Sequence, residues 1–215
     1  MPSIYDLKPR FQALLRPITR GLAAAGVTAN QVTVAAAVLS IAVGACIALY
    51  PERRWPLLLV PPFLFVRMAL NAVDGMLARE HGMKSPLGAI LNELGDVIAD
   101  AALYLPFALV PGVHPVLVVL VVIEGIISEM TGVVAVQIGS ERRYDGPLGK
   151  SDRAFLFGFI GLLLGCGVET GRWLDGLLVV AIVLLMLTIV NRARRGLAEV
   201  RAASSENVVN SPNSA

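Results

Sequence analysis

Aromatic residues are scarce in this chain, at 6% of 215 positions, and charged residues make up only 16%. Cysteine and histidine occur twice each. These shortages exclude several classes of protein. Cys46 and Cys166 stand in apolar stretches without CxxC or Cys/His spacing, so they read as small buried hydrophobes, not as a disulfide or a zinc site. The net charge of +2 is modest and argues for no particular partner; no nucleic-acid partner is expected. A cleavable signal pattern is also missing. The first residues mix Lys8, Arg10, Arg16 and Arg20 with Leu, Phe and Ile, instead of placing a charged start before an apolar core.

What the chain has in abundance is apolar mass. Apolar residues make up 56% of it, and the mean hydropathy is +0.71, too high for an ordinary soluble domain. A transmembrane helix needs about 20 mostly apolar residues. Six segments qualify, at 31–50, 56–80, 86–111, 115–139, 152–168 and 172–192. The fold predicted is an all-α integral membrane protein with six transmembrane helices and a polar cavity open to the cytoplasm. Residues 1–27 read as an interfacial amphipathic helix, 28–197 as the transmembrane domain and 198–215 as a disordered tail. A cap from Thr28 or Asn30 opens the first span.

Orientation follows from Lys and Arg. The N-terminal segment, the turn from Arg79 to Lys84, the loop with Arg142, Arg143, Lys150 and Arg153, and the segment Arg192–Arg201 fall on one side. The opposite loops carry Arg53, Arg54 and Arg172. Both termini are therefore expected in the cytoplasm, in a cell (inner or plasma) membrane.

Within these spans lies a polar stripe. Four residues turn a helix through about 400 degrees, so Gly88, Asn92, Asp96 and Asp100 drift slowly along one face of the third span. Asn71, Asp74, Gly75 and Ala78 share a face of the second by the same geometry. Ionisable groups at membrane depth are costly and usually face a water-filled site. Clustered carboxylate and amide oxygens suit a hard divalent cation such as magnesium. Two other readings stay open: a helix–helix lock in which the acids pair with Arg79 and Lys84, and a proton or ion pathway.

The spacing resembles the signature of the CDP-alcohol phosphotransferases, membrane enzymes of phospholipid synthesis: DxxDGxxAR, eight residues, G, then xxxDxxxD. Here it reads Asn71-x-x-Asp74-Gly75-x-x-Ala78-Arg79, eight residues, Gly88-xxx-Asn92-xxx-Asp96. The six-span layout, the N-terminal helix and Thr28-Ala29-Asn30-Gln31-Val32-Thr33 match as well. Phosphatidylinositol-phosphate and phosphatidylglycerophosphate synthases are the members it is most similar to in feel. The resemblance implies a metal-dependent transferase that moves a phosphatidyl group from CDP-diacylglycerol to an alcohol acceptor and releases CMP. Magnesium or manganese would be the cofactor, the bilayer its setting and a homodimer its assembly. Asp96 would be the general base. Asn71, Asp74, Asn92 and Asp96 would hold metal, joined by Asp100 one turn further along the stripe. Gly75, Ala78 and Gly88 would make room for the nucleotide; Arg79, Ser85, Asn30 and Gln31 would contact it or the diphosphate.

The departure lies at Asn71 and Asn92, where the signature has aspartate. Asparagine offers a carbonyl oxygen without charge, so metal affinity should fall. Three outcomes stay open: a site with one tight metal, a site that recruits Asp100, or a non-catalytic protein on the same scaffold. In the loop 142–155, the resemblance places Lys150 and Arg153 on the acceptor head group. The alternative there is topology-setting charge beside an Asp145-Gly146-Pro147 turn. Glu124 and Glu129 read as pocket or structural acids, with Arg67 available to balance one of them, and His81 and His114 as solvated loop residues.

Overall fold

The computed structural model describes residues 4–209. Among the described residues there are seven helices and no strand: α1 (Ile4–Ala24), α2 (Ala29–Leu49), α3 (Trp55–Glu80), α4 (Pro86–Tyr104), α5 (Pro115–Gln137), α6 (Lys150–Gly165) and α7 (Arg172–Val209), with a 3₁₀ turn at Leu105–Leu109 after α4. Local signals set most of these boundaries. Thr28 and Gln31 form a reciprocal capping box at the start of α2, and Ser85 caps α4 by accepting from the Gly88 N–H at 3.0 Å. Proline stands in the first turn of α3, α4 and α5, where its missing N–H costs nothing. Among the described residues four helices are long and apolar enough to cross a membrane: α2, α3, α5 and α7 over Arg172–Ser204. Helix α4 carries Glu93, Asp96 and Asp100, and α6 has only 16 residues, or about 24 Å of rise. Outward-facing side chains such as Val34, Val38 and Ile41 on α2 are apolar, as a lipid-embedded protein requires.

Where the sequence predicts one transmembrane unit over 28–197, the chain divides into two compact units. The first comprises residues 1–111 and 157–169, the second 112–156 and 170–215, so α6 passes from one to the other.

In the first unit α2 packs against α3 and α4, and α1 against α3. A core shared by α1, α2 and α3 is built from Leu15, Ala29, Val32, Val73, Met76 and Leu77, with Phe11 edge-on to Phe65 at 6.1 Å. Arg16 adds a two-pronged pair to Glu80 at 3.1 and 3.2 Å; both are exposed, so it fixes geometry more than it stabilises. Helices α2 and α4 approach so closely at Gly44 that a Cβ there would collide with the Ala102 carbonyl oxygen. A second close approach lies at the Leu57 carbonyl. Pro61 offers no N–H to the Leu57 carbonyl. Gly161 approaches that carbonyl so closely that a Cβ would lie 3.0 Å from it.

In the second unit α5 packs on α7. Glu129 on α5 is buried and receives three arginines: Arg153 at 3.1 Å on Oε1, and Arg142 at 3.1 Å and Arg192 at 3.4 Å on Oε2. Arg192 also donates to the carbonyls of Ser128 (2.5 Å) and Asp145 (3.2 Å). Further along, Arg143 bridges Asp145 (2.9 Å) and Glu199 (2.6 Å). Burial pushes the Asp145 carboxyl up, but hydrogen bonds from Arg143 and Arg195 outweigh it and hold the group below its usual range. That contribution is present at neutral pH and fades as the pH falls below the ordinary carboxylate range. Helix α7 runs on to Val209, which corrects the tail predicted from residue 198: Leu197, Ala198, Glu199, Ala202 and Ala203 favour helix, and Glu199 is anchored to Arg143 and Ser140. Residues 210–215 of that predicted tail lie outside the described residues.

Two substitutions test this packing. Gly44→Val forces a side chain into the Ala102 backbone and should cost about 1–3 kcal/mol, read as a lower melting temperature in detergent. Glu129→Ala strands three guanidiniums and should cost roughly 3–5 kcal/mol. An unchanged melting curve for either variant contradicts the packing described.

Candidate active site

The first unit contains a cavity of about 610 Å³, within the size range of small-ligand sites. Asn30 and Thr33 of α2 line it, with Asp74, Gly75, Ala78 and Arg79 of α3 and Gly88 and Asn92 of α4. Lys84 and Ser85 of the α3–α4 connection and Pro86 at the start of α4 close it. Its residues are therefore polar ends of three apolar helices, brought together by the α2–α3 and α2–α4 packing.

The local causes can be traced. Asp74 is buried and accepts from the Thr33 hydroxyl at 2.8 Å, a contact that links α2 to α3. Gly75 leaves space for the Arg79 guanidinium, whose nitrogens would lie 3.1 Å from a Cβ at that position. Gly88 does the same for Asn30, whose Oδ1 would lie 2.8 Å from a Cβ there. Arg79 and Lys84 supply positive charge, and the N-terminus of α4 opens at Ser85–Gly88. A helix N-terminus adds unpaired N–H groups and a favourable dipole for an anion. The cavity is thus suited to a polyanion of phosphate type.

Deeper along the same helices sits a charged group. Arg67 of α3 is 3% exposed. Its Nη1 lies 2.6 Å from Asp100 Oδ1, and its Nη2 donates to the Asp96 carbonyl at 3.2 Å and lies 3.8 Å from Asp96 Oδ1. The Asn71 amide stands 3.5 Å from that same Asp96 oxygen.

Several sequence expectations meet this geometry differently. Asn30, Asp74, Gly75, Ala78, Arg79, Ser85, Gly88 and Asn92 line one cavity. Asn71 and Asp96 meet each other beside Arg67. Gln31 has another partner: its side chain accepts the Thr28 N–H at 2.9 Å and so serves the helix cap. Asp100, predicted on the metal stripe, is the counterion of Arg67, because a buried guanidinium needs a carboxylate at contact distance. Arg67 in turn pairs with Asp100 and not with Glu124 or Glu129. Arg153, predicted on the acceptor, has its guanidinium on Glu129 and Ser128, and Lys150 opens α6. Thr33 carries no role in the sequence reading. Its signal was a hydroxyl three residues after Asn30 on a largely apolar helix, hence on the same face.

The donor set can be tested against a divalent cation by its chemistry. No group of three or more His, Cys, Asp or Glu side chains able to hold a metal occurs among the described residues. Two carboxylates, Asp74 and Asp96, and two amides, Asn71 and Asn92, remain. Magnesium is commonly held by one or two carboxylates together with substrate phosphates, so the set fits one such ion.

Comparison with known proteins agrees with this geometry. The sequence model of the CDP-alcohol phosphatidyltransferase family matches residues 26–190. Inner membrane protein YnbA of Escherichia coli (strain K12) is 46% identical over 192 residues, 89% of this chain and 95% of that protein. Two crystal structures of Mycobacterium tuberculosis phosphatidylinositol phosphate synthase (PgsA1) share the fold at 21% identity. The one with CDP-DAG bound has a TM-score of 0.70, covering 86% of this chain and 92% of that one. The one in complex with manganese and citrate has a TM-score of 0.71, covering 84% and 88%. The signature-bearing helices, the polyanion cavity between them and the match over residues 26–190 lead to one conclusion: this chain belongs to the CDP-alcohol phosphatidyltransferase family and is a membrane-embedded transferase of phospholipid biosynthesis.

Proposed function

We propose that this transferase moves a phosphatidyl group from CDP-diacylglycerol to the hydroxyl of an alcohol, with release of CMP. The observation that carries the reading is the cavity in which Asn30, Asp74, Arg79, Lys84, Ser85 and the first turn of α4 converge. A CDP-linked lipid would place its diphosphate against Arg79, Lys84 and the α4 N-terminus, and its cytidine in the space left by Gly75, Ala78 and Gly88. A divalent cation, magnesium or manganese, held by oxygens of Asn71, Asp74, Asn92 and Asp96, would neutralise the diphosphate and favour the leaving of CMP. The manganese-bound family neighbour supports that choice of cofactor.

The chain's own residues then have defined tasks. Thr33 orients the Asp74 carboxylate. Asp96 takes the proton of the acceptor hydroxyl. The acceptor oxygen bonds to the lipid-side phosphorus, the bond from that phosphorus to the bridging oxygen breaks, and CMP departs with the electron pair. Position and charge, not covalent help from the protein, lower the barrier in such transfers.

In the same reading Lys150 and Arg153 would recognise the head group of the acceptor alcohol. Six crossings are proposed, α2 to α7. Their basic loops face the cytoplasm with both termini, and α1 lies at the interface with Leu14 and Ile18 outward. Assembly as a homodimer is part of the same reading.

Purified chain in detergent, given CDP-diacylglycerol, manganese and a panel of polyols and polyol phosphates, should release CMP. Asp96→Asn should lower that release at least a thousandfold while CDP-lipid binding persists. Binding by the parent chain with no CMP from any acceptor tried would leave a nucleotide-lipid binding protein instead. Asn71→Asp with Asn92→Asp adds two charges to the donor set and should tighten manganese binding about tenfold, read by calorimetry. Unchanged affinity would remove these positions from the metal set.

A further inference from the structure

We infer that Arg67 is a positioning residue for the transfer: from α3 it holds the backbone and the carboxylate of Asp96 on α4, and so sets where that base stands. The inference rests on the transferase reading above, in which Asp96 takes the acceptor's proton, and deepens it.

The ladder of contacts between the two helices carries it. Arg67 and Asn71 are four residues apart on α3, and Asp96 and Asp100 are four apart on α4, so each pair shares a face. These faces meet. Arg67 Nη1 donates to Asp100 Oδ1 at 2.6 Å, and Nη2 donates to the Asp96 carbonyl at 3.2 Å. The Asn71 amide stands 3.5 Å from Asp96 Oδ1. Further along the same stripes, Asp74 of α3 and Asn92 of α4 line the cavity. Asp96 therefore sits between a buried anchor and the cavity, about 6 Å of helix rise from Asp100 on one side and from Asn92 on the other.

An ion pair that only joined two helices would be complete with the Arg67–Asp100 contact. The guanidinium directs its second nitrogen to Asp96 instead, to the carbonyl and to within 3.8 Å of Oδ1. A planar fork makes both contacts at once, which the point charge of a lysine would not. Gripping positions 96 and 100 together fixes the rotation of α4 about its axis, and with it the direction in which the Asp96 Cβ leaves the helix. The guanidinium charge and the Asn71 amide then draw Oδ1 toward α3. The Asp96 side chain is 27% exposed and that of Arg67 is 4% exposed, so a reachable base rests on a buried holder. A partly exposed carboxylate left to itself samples several rotamers, whereas a general base works only within hydrogen-bond reach of the proton it takes. Misplacement by about 1 Å costs on the order of a hundredfold in rate.

The test is steady-state CMP release by the full-length chain in detergent, with CDP-diacylglycerol, manganese and the alcohol of the polyol panel that gives the fastest release. Lipid binding and melting temperature are measured on the same samples. Arg67→Met with Asp100→Asn removes both buried charges together, so neither is left stranded. This double variant should keep CDP-lipid binding and KM within about threefold of the parent chain while kcat falls about a hundredfold. A kcat within about threefold of the parent would overturn the proposal, because Arg67 would then serve only to balance Asp100. Loss of lipid binding or of the melting transition along with kcat would also overturn it, since the role would be structural. The same pair of changes is then added to Asp96→Asn. There it should cost less than about threefold more, because Arg67 acts through the carboxylate already removed. A further loss of about a hundredfold would place its action elsewhere and overturn the assignment. A parent chain that binds the lipid but releases no CMP with any alcohol of the panel would fail the transferase reading and this inference together. An active parent with an equally active double variant would fail this inference alone.

Discussion

Charge placed inside an apolar layer must be met at contact distance, because the surrounding medium neither solvates nor screens it. This constraint organises both units of the chain. In the second, one carboxylate on α5 collects three arginines from the following loop and from α6 and α7. In the first, one arginine on α3 collects two acids from α4. Asp74 of α3 accepts from the Thr33 hydroxyl of α2 and lines the cavity.

The cavity depends on small residues as much as on charged ones. Gly75 and Gly88 give Arg79 and Asn30 room to turn inward, and Gly44 lets α2 and α4 close behind them. The buried α1–α2–α3 cluster around Met76 and Leu77 fixes the end of α3 that carries Asp74 and Arg79. Packing and chemistry are therefore carried by one short run, residues 71–79, in which alternate sides of the helix serve the core and the site.

Much of this could be read from the sequence, and the reasons are physical. Helix starts carry their own punctuation, Thr28 with Gln31, Ser85, and the prolines at 56, 86 and 115. A stripe at four-residue spacing survives whatever the tertiary arrangement, so the polar faces of α3 and α4 were legible. Partners across helices were not. A single sequence gives the face a residue occupies but not the rotation and height of the helix opposite, so Arg67 found Asp100 and not Glu129, and Arg153 found Glu129. The capping use of Gln31 competed with a ligand role, and local hydrogen bonding won. The length of α7 was missed because polar residues past 198 read as disorder when the long-range anchor from Arg143 to Glu199 is not visible.

The central claim is that a divalent cation and a nucleotide diphosphate share the cavity under Asp74 and Arg79. Phosphorus NMR of CDP bound to the full-length chain, with trace manganese added, tests it directly. Both phosphorus resonances should broaden strongly through contact-range paramagnetic relaxation, and Asp74→Ala should abolish the broadening. Manganese that binds the chain while leaving both phosphorus lines sharp would contradict it.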